Sequence, residues 1–314
     1  MDEPAVATDK KGGSLAMGHF ADRLLEAIEA KRSHVVVGLD PDYDLLPLEI
    51  RAAHPRAGYE SDEQMKVACY REFLNGLLHC LRHEAVAAKI QIACFEALGA
   101  TGYGLYESMV TLAKHLGYLV IADVKRGDIG STAEAYARAH LDVAGADAVT
   151  VNPYFGTDGL EPFFCRAREA GKGVFVLVKT SNPSSAEIQD LPLASGEPVY
   201  GRVAQLVNEW GEGTGGSLGY RAVGAVVGGT HPEQGARLRV QMPWVPLLVP
   251  GYGAQGAQAA DLIALFDARG TGAVVNSARA ILYAYRKRPG GWQKAALQEA
   301  REMKAALWRA AGRG

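Results

Sequence analysis

One stretch of the sequence decides how the rest is interpreted: Asp123-Val124-Lys125-Arg126-Gly127-Asp128-Ile129-Gly130-Ser131-Thr132. It follows an apolar run at residues 118–122, typical of a buried strand, and leads into a helical pattern at residues 133–137. Ser131 and Glu134 have the spacing of a capping box, which predicts that a helix begins at Ser131. The stretch therefore marks a junction between a strand and a helix.

Three charged side chains meet at this junction. Asp123 and Lys125 are two residues apart on the predicted strand, so they should point to the same face. Asp128 follows in the loop. In parallel α/β folds the chemistry lies at the carboxyl ends of the strands and in the loops after them. The junction is therefore a candidate functional site.

The alternation of strand and helix repeats along the chain. Eight strand-then-helix units with right-handed crossovers predict an α/β fold, a closed (β/α)8 TIM barrel, with a doubly wound open sheet as the alternative. The predicted strands are residues 35–39, 85–92, 118–122, 147–151, 173–178, 221–227, 244–249 and 272–275. The predicted helices are residues 67–81, 104–116, 131–144, 158–170, 197–210, 233–239, 255–268 and 292–310.

The two ends of the chain add to this barrel. Residues 1–14 are polar and are predicted to be a disordered tail, whereas residues 15–31 predict an additional N-terminal helix. Residues 292–310 predict a long C-terminal helix, and residues 15–314 are predicted to form a single barrel domain. The connection at residues 180–197 is long for a barrel loop and is either a lid or a plain insertion.

The composition limits the kinds of partner. The 314 residues are 48% hydrophobic with a formal net charge of −2, so no global field attracts nucleic acid or an anionic membrane. No apolar run approaches the roughly 18 residues that span a bilayer, and the N-terminus does not resemble a signal peptide. The four cysteines contain no Cys-x-x-Cys pair, which predicts reduced thiols in a cytoplasmic protein.

Charged residues also stand at the ends of other predicted strands. A structural ion-pair network is one explanation of this array. Its position at strand ends favours another, in which neighbouring carboxylates keep lysines charged, repel a substrate carboxylate and let a lysine stabilise a carbanion. Together with the phosphate site described next, this array predicts a phosphorylated small molecule and proton transfer by lysine, but it does not name the reaction. The array consists of Asp40, Lys89, Asp123, Lys125 and Asp128.

A phosphate site is predicted after the last two strands. Residues 250–256 are rich in glycine, which lets backbone N–H groups approach an anion, and Arg279 supplies a guanidinium. Loops after strands seven and eight often bind phosphate in this barrel. Alternatively, the glycines only make turns and Arg279 pairs with a surface carboxylate. No metal site is predicted, because His79 and His83 lack a third ligand at a suitable spacing.

The ordered motifs resemble one family, orotidine 5′-monophosphate (OMP) decarboxylase, in its longer bacterial subgroup. The similarity extends over residues 38–281 and is specific because the segments occur in order at successive strand ends. The matching segments are Gly38-Leu39-Asp40-Pro41, Lys89 with Gln91 and Phe95-Glu96, Asp123 to Thr132, Thr150-Val151-Asn152-Pro153-Tyr154, Thr180-Ser181-Asn182-Pro183, Pro250 to Gly256 and Asn276-Ser277-Ala278-Arg279.

The resemblance implies the reaction OMP → UMP + CO₂, the last step of de novo UMP synthesis, with neither a metal nor an organic cofactor. It implies that Asp40 binds ribose hydroxyls and that Lys89 links the ribose to the charged array. Asp123 would then lie against the substrate carboxylate, while Lys125 stabilises the carbanion at C6 and protonates it.

The resemblance also implies a homodimer, because the second aspartate of the family motif reaches into the neighbouring subunit's site. Asp128, with Ile129 and Thr132, would therefore complete the partner's site.

The remaining implied contacts are with the pyrimidine and the phosphate. Ser181 would meet the pyrimidine edge, and Gln255 and Arg279 would bind the phosphate, with Gly253 in a closing loop at residues 250–258. Two rival functions remain open at this point: a Mg²⁺-dependent sugar-phosphate decarboxylase or synthase with the same motif, and a non-catalytic nucleotide-phosphate binder.

Overall fold

The short apolar runs form β-strands that are almost entirely buried, as expected where barrel side chains cover one face and helices the other. The computed structural model describes residues 18–314. The strands are β1 Val35–Leu39, β2 Ala87–Gln91, β3 Leu119–Arg126, β4 Ala148–Val151, β5 Gly173–Lys179, β6 Val223–Val227, β7 Leu247–Val249 and β8 Ala273–Ser277.

The strands close into a barrel in sequence order. Every neighbouring pair is parallel, and β8 returns to pair with β1 through Val36 and Asn276. The predicted (β/α)8 barrel is therefore confirmed, and the open sheet is excluded. Strand β3 is longer than the predicted run and contains Asp123 and Lys125, with an irregular register against β4 between Ala122 and Arg126.

Helices surround the barrel and follow the strands. A π-helix, Arg138–Val143, continues the α-helix Gly130–Ala137. A 3₁₀ helix, Ala259–Leu265, replaces the α-helix predicted between β7 and β8. The α-helices are α1 Phe20–Lys31, α2 Leu48–Ala53, α3 Asp62–Leu81, α4 Ala93–Glu96, α5 Gly99–His115, α6 Gly130–Ala137, α7 Gly156–Glu169, α8 Ala186–Gln189, α9 Val199–Gly211, α10 Pro232–Gln241, α11 Arg279–Leu282 and α12 Trp292–Ala310. Short 3₁₀ helices occupy Tyr43–Leu45, Arg56–Gly58, Pro153–Phe155, Pro183–Ser185 and Ala284–Arg286.

Helix α1 packs its apolar face against residues of the barrel interior. Phe20 contacts Phe175 of β5 with ring centroids 5.8 Å apart, and it lies so close to Gly173 that a Cβ there would meet its ring at 2.4 Å. The predicted N-terminal helix is thus confirmed from Phe20 onward. The predicted tail at residues 1–14 lies outside the described residues.

The predicted capping box is wrong. Helix α6 begins at Gly130, and the residue before it, Ile129, makes no side-chain cap hydrogen bond. The carboxylate of Glu134 instead accepts hydrogen bonds of 2.6 and 3.1 Å from Arg166 of α7. Because this bidentate contact turns Glu134 toward α7, the side chain does not reach back to the start of its own helix.

The long connection after β5 is fastened to the barrel. Lys179 is fully buried, and its Nζ donates to Asp190 at 2.6 Å and to Ser185 at 3.2 Å. These contacts join the end of β5 to the far side of α8. Across residues 18–314, no helix combines the length and apolar character needed to cross a membrane.

Two buried histidines make the stability of the fold depend on pH. His34 has its Nδ1 3.1 Å from the carbonyl of Ala273, and His140 has its Nδ1 3.2 Å from the hydroxyl of Tyr106. Burial lowers the pKa of each ring from 6.5 to about 4. Both rings are therefore neutral in the folded protein at neutral pH.

The free energy of unfolding should fall as pH decreases from about 6.5 toward 4, because the unfolded chain protonates these rings first. The difference between the folded and unfolded pKa of each ring corresponds to a loss on the order of 3 kcal/mol in the free energy of unfolding, reached once the ring is protonated in both states. Urea unfolding at about pH 7 and about pH 5 measures the effect. His34→Gln should reduce the pH dependence, whereas His79→Gln, on an exposed face, should not. Equal stability at the two pH values would contradict this prediction.

Candidate active site

A cavity of about 400 Å³ opens at the carboxyl ends of the strands, a volume that suits a small-molecule ligand. It brings together most of the residues that the sequence predicted for the site. The predicted residues that line it are Asp40, Lys89, Asp123, Lys125, Ser181, Gln255 and Arg279. The predicted residues outside this lining are Asp128, Ile129, Thr132 and Gly253.

Asp123 is the centre of the charged array. Its Oδ1 lies 2.6 Å from Lys125 Nζ and its Oδ2 lies 2.5 Å from Lys89 Nζ. Lys89 Nζ also lies 3.7 Å from Asp40 Oδ1. Acidic and basic groups therefore alternate from β1 across β2 to β3, and the two residues predicted to share a strand face are in contact.

The array keeps its buried members charged. Burial alone would lower the pKa of Lys89, but the carboxylates of Asp40 and Asp123 raise it to about 12. Burial alone would raise the pKa of Asp123, but Lys89 and Lys125 hold it well below its usual range. A carboxylate and an ammonium group thus stay ionised side by side at neutral pH.

Thr150 of β4 completes the array on the side away from Lys89. Its hydroxyl donates to Asp123 Oδ1 at 2.9 Å and accepts the backbone N–H of Lys125 at 3.0 Å. Gln91 donates to Asp123 Oδ2 at 3.2 Å. Sequence reasoning assigned no role to Thr150. Its position at the end of β4 could have indicated one, because site residues of this barrel come from the ends of its strands.

The backbone of Lys125 adopts the left-handed conformation, with φ of 46°. For a residue with a Cβ this conformation costs roughly 1–2 kcal/mol, so neighbouring contacts must hold it. It coincides with the register irregularity between β3 and β4. The side chain of Lys125 is 46% exposed and extends into the cavity, where its ammonium group meets Asp123.

The buried oxygens at the junction of β1 and β8 that have no hydrogen-bond partner include Asp40 Oδ1 and Asn276 Oδ1. Both belong to residues that line the cavity. Gly38 permits this arrangement, because a Cβ there would lie 3.0 Å from the Asn276 oxygen and 3.1 Å from the Asp40 oxygen. Buried acceptors without donors favour a ligand that carries hydroxyl groups. Asn276 is a candidate site residue that sequence reasoning missed.

The loop after β7 has the geometry expected of an anion site. Gly251, Gly253 and Gly256 all have left-handed φ values, of 106°, 74° and 101°, which favour glycine. Gln255 and Arg279 line the cavity beside this loop. Gly253 instead lines a neighbouring groove that also contains Arg279.

Asp128, Ile129 and Thr132 lie beyond the cavity, near an apolar surface. Asp128 Oδ1 accepts the N–H of Ile129 at 2.8 Å, and the Ile129 side chain is 57% exposed. Tyr154 and Phe155 are also exposed, and Phe155 lies beside the glycine that precedes Asp128. Within residues 18–314 no group of three or more His, Cys, Asp or Glu side chains is arranged to hold a metal ion.

The fold and the site together define a (β/α)8-barrel enzyme with an acid–base array at the carboxyl ends of its strands. The profile of the orotidine 5′-phosphate decarboxylase / HUMPS family matches residues 33–289. The chain therefore belongs to the orotidine 5′-phosphate decarboxylase family.

Individual relatives agree with this assignment. The chain is 43% identical to orotidine 5′-phosphate decarboxylase of Rhodopirellula baltica, over 85% of this chain and 89% of the relative. It is 42% identical to the enzyme of that name from Deinococcus radiodurans, over 92% of this chain and 98% of the relative. The structure of Leishmania donovani OMP decarboxylase superposes with a TM-score of 0.73 at 32% identity, covering 92% of this chain and 99% of that one.

Proposed function

We propose that the protein decarboxylates orotidine 5′-monophosphate to UMP and CO₂, the last step of de novo UMP synthesis. Family membership supports the reaction. The observation that carries it for this chain is a buried carboxylate, Asp123, held ionised between Lys89 and Lys125 inside a cavity. We further propose that it acts in the cytoplasm, in keeping with its four free cysteine thiols.

Binding uses the two ends of the cavity. Asp40 and Asn276 each present a buried oxygen without a hydrogen-bond partner, which would accept a hydrogen bond from a ribose hydroxyl, and Lys89 joins this region to the array. Gln255 and Arg279 would bind the 5′-phosphate beside the glycine loop. Ser181, which follows β5, would meet the edge of the pyrimidine.

The chemistry takes place at Asp123 and Lys125. The substrate carboxylate would lie against Asp123, and repulsion between the two anions would favour loss of CO₂. As the C6–carboxyl bond breaks, its electron pair stays on C6, where the adjacent Lys125 ammonium stabilises it. Lys125 then transfers a proton from Nζ to C6, which yields UMP. The array needs no metal or organic cofactor for these steps.

A homodimer would complete the site. Asp128, Ile129 and Thr132 do not line the cavity of their own chain, and they adjoin exposed apolar side chains. An exposed apolar surface of this kind is typical of a protein interface. We propose that this surface joins two copies of the chain and that Asp128 contributes to the partner's cavity.

The direct test follows the loss of the orotate chromophore when purified protein is added to OMP, with and without a chelator. Turnover that is unchanged by the chelator supports the proposal. Activity lost with the chelator and restored by Mg²⁺ would indicate a metal-dependent sugar-phosphate enzyme mechanism instead. Binding of UMP without turnover would identify a non-catalytic binder.

Replacing Arg279 with alanine should raise the KM for OMP by roughly 10- to 100-fold, because a charge-assisted contact with the phosphate contributes about 1.5–3 kcal/mol. Steady-state kinetics measures the effect. Arg286→Ala is a matched control, since Arg286 is an exposed arginine of the neighbouring groove that does not line the cavity. An unchanged KM in Arg279→Ala would remove Arg279 from the phosphate site.

A further inference from the structure

The left-handed backbone at Lys125 is held from two sides. On the side of the cavity, Thr150 accepts the N–H of Lys125. On the other side, the next residue, Arg126, folds its guanidinium back so that Nη1 donates to the carbonyl of Val124 at 3.3 Å. This hydrogen bond spans Lys125, because it joins the residue before it to the residue after it.

The guanidinium of Arg126 is itself fixed in place by two neighbouring helices. Its Nη2 forms an ion pair with the carboxylate of Glu96 at the end of α4, and its plane lies over the ring of Tyr136 on α6, 5.2 Å from the ring centre. Its main-chain carbonyl accepts the N–H of Asn152 at 2.9 Å. The sequence had assigned no role to Glu96 or Asn152.

We propose that Glu96, Arg126 and Tyr136 form a clamp that positions Lys125 for proton transfer. These are positioning residues, since none of them lines the cavity. The inference rests on the proposed decarboxylase function.

Lys125 depends on such a clamp because its side chain is half exposed. The walls of the cavity therefore confine it little, and the position of its ammonium group follows from its contact with Asp123 and from the backbone that carries the side chain. A displacement of about 1 Å at a reacting group can lower a rate about 100-fold. Helix α4 follows β2, which supplies Lys89, so the clamp also ties the two lysine-bearing strands together.

An exposed ion pair by itself contributes little to a protein. The contact between Glu96 and Arg126 differs from such a pair in two respects. The same guanidinium also binds a main-chain carbonyl beside Lys125, and it lies over the ring of Tyr136, so contacts besides the ion pair fix its orientation. Loss of the Glu96 carboxylate should therefore release the backbone at Lys125 rather than only a surface contact.

The experiment compares Glu96→Gln, Arg126→Lys and Arg126→Gln with the wild-type protein. We expect kcat for OMP to fall about 10-fold or more in Glu96→Gln and Arg126→Gln, with KM and the Kd of UMP within about threefold of wild type. Arg126→Lys keeps the positive charge but loses the several N–H donors of the guanidinium, so its kcat should lie between those of the wild type and Arg126→Gln. The stoichiometry of UMP binding by calorimetry normalises kcat to correctly folded sites.

Glu161→Gln is the matched control, because Glu161 pairs with Arg168 in a somewhat more exposed ion pair on α7, and neither residue lines the cavity. Its kcat should match that of the wild type. If the wild type is active and Arg126→Gln keeps kcat within about twofold, the clamp is overturned and the proposed function still stands. If KM and UMP affinity weaken as much as kcat falls, the trio is structural and the clamp is likewise overturned. A wild-type protein without decarboxylase activity would overturn the proposed function and the clamp with it.

Discussion

Replacing Lys125 with alanine should lower kcat for OMP decarboxylation by at least about 1,000-fold, because the change removes both the proton donor and the cation beside C6. UMP should still bind, since Asp40, Asn276 and Arg279 are unchanged and the product lacks the carboxylate that meets Asp123. Chromophore loss under saturating OMP measures kcat, and calorimetry with UMP measures the binding.

Two further variants serve as controls, one for the charge of Lys125 and one for the loss of a lysine elsewhere. Lys125→Arg keeps a cation near Asp123 but cannot donate its proton readily, so its kcat should also be low. Lys294→Ala removes an exposed lysine of α12 and should leave kcat unchanged. Residual turnover of Lys125→Ala within a few-fold of the wild type would refute the role given to Lys125.

The second large effect concerns the division of the motif between two chains. Lys125→Ala and Asp128→Ala should each be nearly inactive, yet a dimer that contains one chain of each kind should recover about half of the wild-type activity. In that heterodimer, one cavity combines the intact Lys125 of one chain with the intact Asp128 of the other. Co-expression with two different affinity tags isolates the heterodimer, and light scattering checks its mass.

The matched control pairs Lys125→Ala with Asp123→Asn. Asp123 and Lys125 touch within one chain, so every cavity of that heterodimer carries one defect and no activity should return. Recovery in the control, or an active monomer of the wild-type protein, would show that Asp128 does not serve a partner's site.

Much of the fold could be predicted because local patterns agree with it. The apolar runs that became β1, β4 and β5 have nearly the predicted bounds, since burial on both faces gives an uninterrupted apolar signal. The extent of β3 could not be predicted, because its last residues are charged and pair with β4 through an irregular register. The start of α6 was misjudged for a similar reason, since the partner of Glu134 lies on another helix.

The site was predictable where one strand carries both members of a contact, as with Asp123 and Lys125. Contacts between strands were harder to foresee. Thr150 reaches Asp123 from β4, and Asn276 lies near Asp40 only because β8 closes on β1. The left-handed backbone of Lys125 gave no signal, because that conformation is usually marked by glycine or asparagine.

The left-handed backbone at Lys125 sets two selective pressures, on stability and on activity, against each other at a single position. Glycine or asparagine would relieve the strain at residue 125, so backbone stability disfavours a lysine there. Activity requires the ammonium group, and an improvement in one property comes at the expense of the other. A search for stabilised variants that screens only thermal resistance would be drawn toward changes at this position, so a screen that retains turnover as a second criterion is needed to protect it.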